Sequence, residues 1–146
     1  MHSVTTEIEV PFHDVDSMEI AWHGHYAKYL ELARCDLLDL IGYNYKAMKA
    51  SGYSWPIVDL RIKYIQPLRF GQKICVQARI DEWEHRLKIR YEIMDKESGQ
   101  TLSKAHTTQM AVDMATGESL FDSPAVLKQC FENQGDSVDA SSNENE

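Results

Sequence analysis

Cysteine is scarce in this chain. Cys35, Cys75 and Cys130 are odd in number, widely spaced and free of any CxxC pair, so neither a disulfide framework nor a cysteine zinc site is signalled. Reduced, partly buried thiols are the expectation, and they suit a reducing, cytoplasmic compartment. Long apolar runs are missing too: no stretch approaches the ~18 residues of a membrane span. Residues 1–10 hold two glutamates and no apolar run, so no secretory signal is expected there. Basic residues are in deficit, with 15 Lys and Arg against 23 Asp and Glu and a net charge of −8. Five of those negative charges lie between Glu132 and Glu146, a segment without a base, which leaves −3 for the body. Nucleic acid calls for a basic face and is disfavoured as a partner. No internal repeat is present.

What remains is an ordinary globular balance, 43% hydrophobic and 26% charged over 146 residues, enough for one core and too little for two domains. The expected organisation is a single domain over 1–131 and a disordered acidic tail, rich in Ser and Asn, over 132–146. Val4, Thr6, Ile8, Val10 and Phe12 alternate with polar neighbours, the period of a half-buried strand. A polar loop follows to about Gly24. Tyr26, Tyr29, Leu30, Ala33, Leu37, Leu40 and Ile41 then recur at helical spacing, with Gly42 placed to stop the helix. Leu32 and Leu38 widen the apolar face, which predicts a helix buried on most sides. A short helix is expected at 45–50, ended by Gly52. From Trp55 the period becomes two, in runs near 58–64, 74–80, 87–93 and 101–113, with turns at Gly71, Gly99 and Gly117. Short turns between consecutive strands predict an antiparallel meander, and 122–131 a closing helix. The fold class is α+β: one long helix and a curled antiparallel sheet of about five strands burying each other. Arg61, Lys63, Arg79 and Arg90 leave the other sheet face half polar.

Chemistry concentrates before the long helix. Asp14, Asp16, Glu19, His13, His23 and His25 fall within 13 residues and lead into a helix N-terminus. Such a terminus offers unpaired N–H groups and partial positive charge. A carboxylate beside it can attack or deprotonate, while the N–H groups hold an oxyanion, a combination suited to acyl transfer. Either aspartate could equally cap a turn, and the histidines could be packing residues. A metal site built from Asp14, Asp16, His23 and His25 is a further reading.

Asp14-Val15-Asp16, Trp22-His23-Gly24-His25-Tyr26, Tyr29-Leu30-Glu31 and Ala33-Arg34 together resemble the signature of the 4-hydroxybenzoyl-CoA thioesterase family, in its YbgC-like branch. The likeness extends through Gln66-Pro67-Leu68 and Gly71 and covers roughly residues 5–125. It implies a hotdog-fold thioesterase acting on acyl-CoA or an acyl-carrier protein, with no cofactor or metal. It implies Asp16 as nucleophile or general base and a backbone N–H at His23 or its neighbour as the group polarising the thioester. Gly24 and Tyr26 fall on the substrate side, with Asp14, Glu19 and Arg34 supporting the loop and helix. A homodimer or homotetramer with edge-to-edge sheets and sites at the subunit interface is also implied. One departure stands out: the family places Gly three residues after the catalytic Asp, where this chain has Glu19. A glycine there serves a backbone conformation that Glu resists, or Glu19 adds a second carboxylate.

Coenzyme A carries phosphates, and related thioesterases have basic residues after a residue matching Trp83. That makes His85, Arg86 and Lys88 candidate substrate-binding groups, with a solvated hairpin tip as the plainer reading. Trp22, Tyr53 and Trp55 hint at an aromatic or long-chain pocket, and core packing explains them equally well. Rival functions on the same fold are an acyl dehydratase and a non-catalytic acyl-CoA-binding protein.

Overall fold

A computed structural model describes residues 2–132. The chain runs through β1 (Ser3–Glu9), a long helix α1 (Tyr26–Leu40), a short helix α2 (Tyr45–Ala50), then β2 (Tyr53–Ser54), β3 (Ile57–Tyr64), β4 (Lys73–Glu82), β5 (Leu87–Asp95), β6 (Thr101–Gln109) and β7 (Val112–Asp113). Five strands make one antiparallel sheet in the order β1-β4-β5-β6-β3, and β2 pairs with β7. This is the expected α+β class. The predicted meander holds only for β4-β5-β6. Residues 65–72 leave the sheet after β3, cross the loop before α1 and deliver β4 to the other side of the sheet, between β1 and β5. Backbone bonds fix that crossing: Ala21 N–H to Leu68 O (2.7 Å), Phe70 N–H to Glu19 O (2.9 Å) and Gly71 N–H to Val10 O (3.0 Å).

The helix ends where its sequence says it should. Gly42 adopts a positive φ of 76°, its N–H bonds to Asp39 O, and the Tyr43 N–H reaches back to Leu38 O. Those two bonds satisfy carbonyls that the last turn would otherwise leave open. Asn44 caps α2 by accepting from the Ala47 N–H (2.9 Å). The apolar face of α1 lies across β1 and β4, where Tyr29, Leu30, Ala33 and Leu37 meet Ile74, Val76 and Ala78 in the core. Burial on most sides is not observed: Leu32 and Leu40 remain 51% and 42% exposed. A single sheet covers a single face of a helix.

The same placement explains β3. Its apolar residues Val58, Leu60 and Tyr64 are exposed, because β3 is the sheet edge farthest from the strands that α1 covers. On the opposite sheet face Arg61, Lys63, Arg79 and Arg90 are exposed, as expected. A closing helical segment spans 125–132, starting later than expected. Asp122 and Ser123 are occupied instead with the β4–β5 hairpin, through Asp122 Oδ1 to His85 Nδ1 (2.6 Å) and Ser123 N–H to Glu84 O (2.9 Å). Phe131 of this segment stacks on Trp83 at 4.9 Å. The remainder of the acidic tail, 133–146, lies outside the described residues.

Candidate active site

The loop before α1 is ordered by its own backbone. Asp16 N–H bonds to Ile20 O and Glu19 N–H returns to Asp16 O, both at 2.9 Å. Val15 and Ala21 bridge below them, so Asp16 stands at the entrance of a tight turn. Its Oδ1 accepts from the N–H groups of Met18 (2.8 Å) and Ile20 (3.3 Å). Turn capping therefore accounts for one carboxylate oxygen. Oδ2 has no hydrogen bond to any described residue, and the side chain is exposed.

Glu19 has φ 62°, the only positive φ outside glycine among the described residues. The turn imposes there the left-handed backbone that glycine provides, at a cost of about 1–2 kcal/mol for a side-chain-bearing residue. The bond from Phe70 N–H helps hold it. Glu19 does not line the cleft described below, so it adds no second carboxylate to that cleft.

Asp14 points the other way, into the protein, with 2% of its side chain exposed. It accepts from Lys28 Nζ (2.6 Å) and Tyr29 Oη (2.7 Å), with His25 Nδ1 at 3.8 Å and His13 Nε2 at 3.7 Å. Burial pushes its carboxyl pKa up, but the Lys28 and Tyr29 hydrogen bonds and the Lys28 and His25 charges outweigh burial. The net value lies below the usual 3.8. Tyr29 is pushed up, by burial first and then by its bond to this carboxylate. Asp14 thus ties the loop to the first turns of α1. With Asp14 turned in and Asp16 turned out, the four residues of the metal reading do not converge. Among the described residues no cluster of three or more His, Cys, Asp and Glu is placed to hold a metal.

The entry to α1 is a tight turn, His23–His25, with no side-chain cap at its start or at that of the helix. Trp22 N–H is used by Asp14 O and His25 N–H by Trp22 O, while the His23 and Gly24 N–H groups bond to no described acceptor. A Cβ on Gly24 would lie 2.3 Å from the Trp22 ring, so glycine is what lets the indole fold over the turn. Across from this turn, Tyr64 Oη donates to His23 O (3.1 Å) and its ring packs edge-on against Tyr26 at 4.7 Å. Asp16, His23 and Tyr26 line one cleft of about 400 Å³ with Trp22, Tyr64 and Gln66. Of the residues expected at the site, these three meet, with Gly24 beside them. Tyr64 and Lys28 were not singled out by sequence. Tyr64 closes the period-two run that begins at Val58, which marks a strand face and not a site; the need of a buried aspartate for nearby donors was the available signal for Lys28 and Tyr29.

Arg34 lies elsewhere, buried, its Nε donating to Tyr45 Oη (2.7 Å) and Nη1 to Tyr91 Oη (3.3 Å). It anchors α1 to α2 and β5. His85, Arg86 and Lys88 share a different cavity, about 530 Å³, with Asp59, His106 and Phe121. Trp55 is core, its Nε1 donating to Tyr43 Oη. Tyr53 lines a third, apolar hollow of about 410 Å³. Trp22 alone of the three hinted aromatics borders the Asp16 cleft.

A long helix laid across a five-stranded antiparallel sheet is the hotdog arrangement, and beside the start of that helix an exposed carboxylate shares a cleft with the turn at His23. The chain belongs to the thioesterase-like superfamily, which it matches over residues 10–131, a family of thioester hydrolases. It is similar to YneP of Bacillus subtilis (strain 168), whose name provisionally makes it an acyl-CoA thioesterase, with 31% identity over 114 residues, 77% of this chain and 82% of that protein. It is similar to the structure of the DHNA-CoA thioesterase from Staphylococcus aureus, with 26% identity and a TM-score of 0.78, covering 100% of this chain and 97% of that one. A 4-hydroxybenzoyl-CoA thioesterase crystallised with 4-hydroxybenzoyl-CoA shares the fold, with a TM-score of 0.77 at 17% identity over 89% of this chain and 99% of that one.

Proposed function

We propose that this chain hydrolyses acyl-CoA thioesters to the free acid and coenzyme A, with Asp16 as the reacting carboxylate. One observation carries the reading: the unbonded Oδ2 of Asp16 shares a cleft with the uncapped turn at His23. The thioester oxygen would accept from the His23 and Gly24 N–H groups, whose partial positive charge grows in value as the oxyanion forms. Asp16 then attacks the carbonyl carbon, giving an anhydride that water opens, or takes a proton from the water that attacks. In both routes the carbon–sulfur bond breaks and the thiolate leaves, a good leaving group that needs no strong acid. Dehydration is less supported: a dehydratase of this fold needs a histidine–acid pair on the central helix, and the buried face of α1 holds neither. Release of free thiol from acyl-CoA esters by the full chain is the test.

Assembly belongs to the same reading. The β3 edge leaves unpaired backbone groups beside exposed Val58 and Leu60, a template for a second strand. Antiparallel pairing of two β3 strands about their middle makes one continuous sheet. It sets the Asp59 end of one strand opposite the Tyr64 end of the other. Asp59 borders the basic cavity and Tyr64 the Asp16 cleft, so one subunit's basic cavity would adjoin its partner's cleft. Light scattering should give at least twice the 16.8 kDa chain mass, and Leu60→Lys should shift it toward a monomer with reduced activity. A monomeric parent protein at micromolar concentration would overturn the pairing.

A further inference from the structure

The Phe121 ring is 89% exposed, more than any other large apolar side chain among the described residues. It is held there. Leu120 N–H bonds to Ala111 O (2.8 Å), Ser123 N–H to Glu84 O (2.9 Å), and the Asp122 carboxylate to the His85 ring (2.6 Å). With the chain pinned on both sides, the ring cannot tuck into the core and stands at the edge of the 530 Å³ cavity. Two cations of that cavity have capacity to spare. Arg86 is in no ion pair among the described residues, and the nearest carboxylate of Lys88, on Asp81, is 3.9 Å away and already held by Arg90 at 3.0 Å. The carboxylates that also line it are Asp59, bonded to His106 (3.2 Å), and Glu82. A flat apolar face beside the unpaired Arg86 and the loosely paired Lys88 fits a nucleobase attached to phosphate.

We propose that Phe121 is the platform on which the adenine of coenzyme A stacks, with Arg86 and Lys88 taking its phosphates. The inference rests on the acyl-CoA reading and deepens it, because it selects free coenzyme A esters over carrier-protein esters, which have no adenosine. Calorimetric titration of the full chain with coenzyme A and with pantetheine, which lacks the nucleotide, tests it. Phe121→Ala should weaken coenzyme A binding about tenfold, the scale of base–aromatic stacking, and leave pantetheine binding unchanged. Phe121→Trp should retain coenzyme A affinity. Equal affinity of the parent protein for both ligands, an unchanged affinity in Phe121→Ala, or equal weakening of both ligands overturns the proposal. So does a change of assembly mass in Phe121→Ala, which would make the ring a subunit contact. Hydrolysis assays on an acyl-CoA and the same acyl group on pantetheine separate the two readings. Failure to cleave either ester ends the hydrolase reading while the binding result on Phe121 still stands; cleavage of both with equal Michaelis constants ends the adenine platform alone.

Discussion

Asp16→Asn should lower turnover of an acyl-CoA ester by a factor of at least ~100, the scale on which loss of a positioned base is felt. The substitution is close to isosteric. The Asn carbonyl oxygen can still accept from Met18 and Ile20, the two bonds that Asp16 Oδ1 makes now, so the turn should keep its shape. What disappears is the negative charge on the oxygen without a protein partner, and with it both chemical routes: attack on the carbonyl carbon and proton removal from water. The amide donors of His23 and Gly24 remain, so substrate should still bind and the Michaelis constant should move far less than turnover. The melting temperature should change little. A collapse of the fold in this variant would mean that turn capping, not chemistry, is what Asp16 does.

Asp14→Asn should behave differently, losing stability as well as rate. The Asp14 carboxylate accepts from Lys28 and from Tyr29 while almost fully buried. An amide there can accept at one atom only; its NH₂ group would face a second donor. The Tyr29 hydroxyl is buried, while Lys28 is half exposed and can turn to solvent. Counting mainly the buried partner and the lost charge, the cost should be about 2–3 kcal/mol. Rate should fall too, because Trp22 N–H bonds to the Asp14 carbonyl and Asp16 sits two residues on. The pH dependence has a definite sign. The folded-state pKa of Asp14 is depressed, so its contribution is fully present above the ordinary value of 3.8 and is lost as pH falls through the lower folded value. Denaturant unfolding at pH 7 should show the full gap between wild type and Asp14→Asn. The gap should shrink as pH drops below about 4. A pH-independent gap would contradict the ion-pair account.

Features set by neighbours along the chain were legible beforehand. The helical repeat of Tyr29, Leu30, Ala33 and Leu37, the stop at Gly42 and the short helix ended by Gly52 depend on local periodicity and on glycine's access to positive φ. Glu19 was legible as a conflict only through the family resemblance, which places glycine there, and its φ of 62° is the glycine-like backbone that the turn imposes. The sheet order was not legible, because it is decided by bonds from residues 65–72 to the loop before α1, which no periodicity reports. The exposure of Val58 and Leu60 was missed for the same reason: alternation tells which residues share a face, not whether anything covers it. Tyr64 was legible only as the last residue of a strand alternation, and Phe121 as a single aromatic with no pattern around it. The residues alone did not separate Asp14 from Asp16, and only the family resemblance implied different roles for them; the turn direction makes one a buried tie and the other an exposed, half-bonded carboxylate.

Cleavage of thioesters by this chain depends, in the proposed function, on Asp16. Thiol release, followed over short, long and aromatic acyl-CoA esters with wild type and Asp16→Asn side by side, tests it most directly. Sustained, enzyme-dependent release of coenzyme A is expected from at least one ester class, reduced at least ~100-fold in the variant at an unchanged melting temperature. Coenzyme A esters bound without thiol release, or release at the wild-type rate by Asp16→Asn, would contradict it.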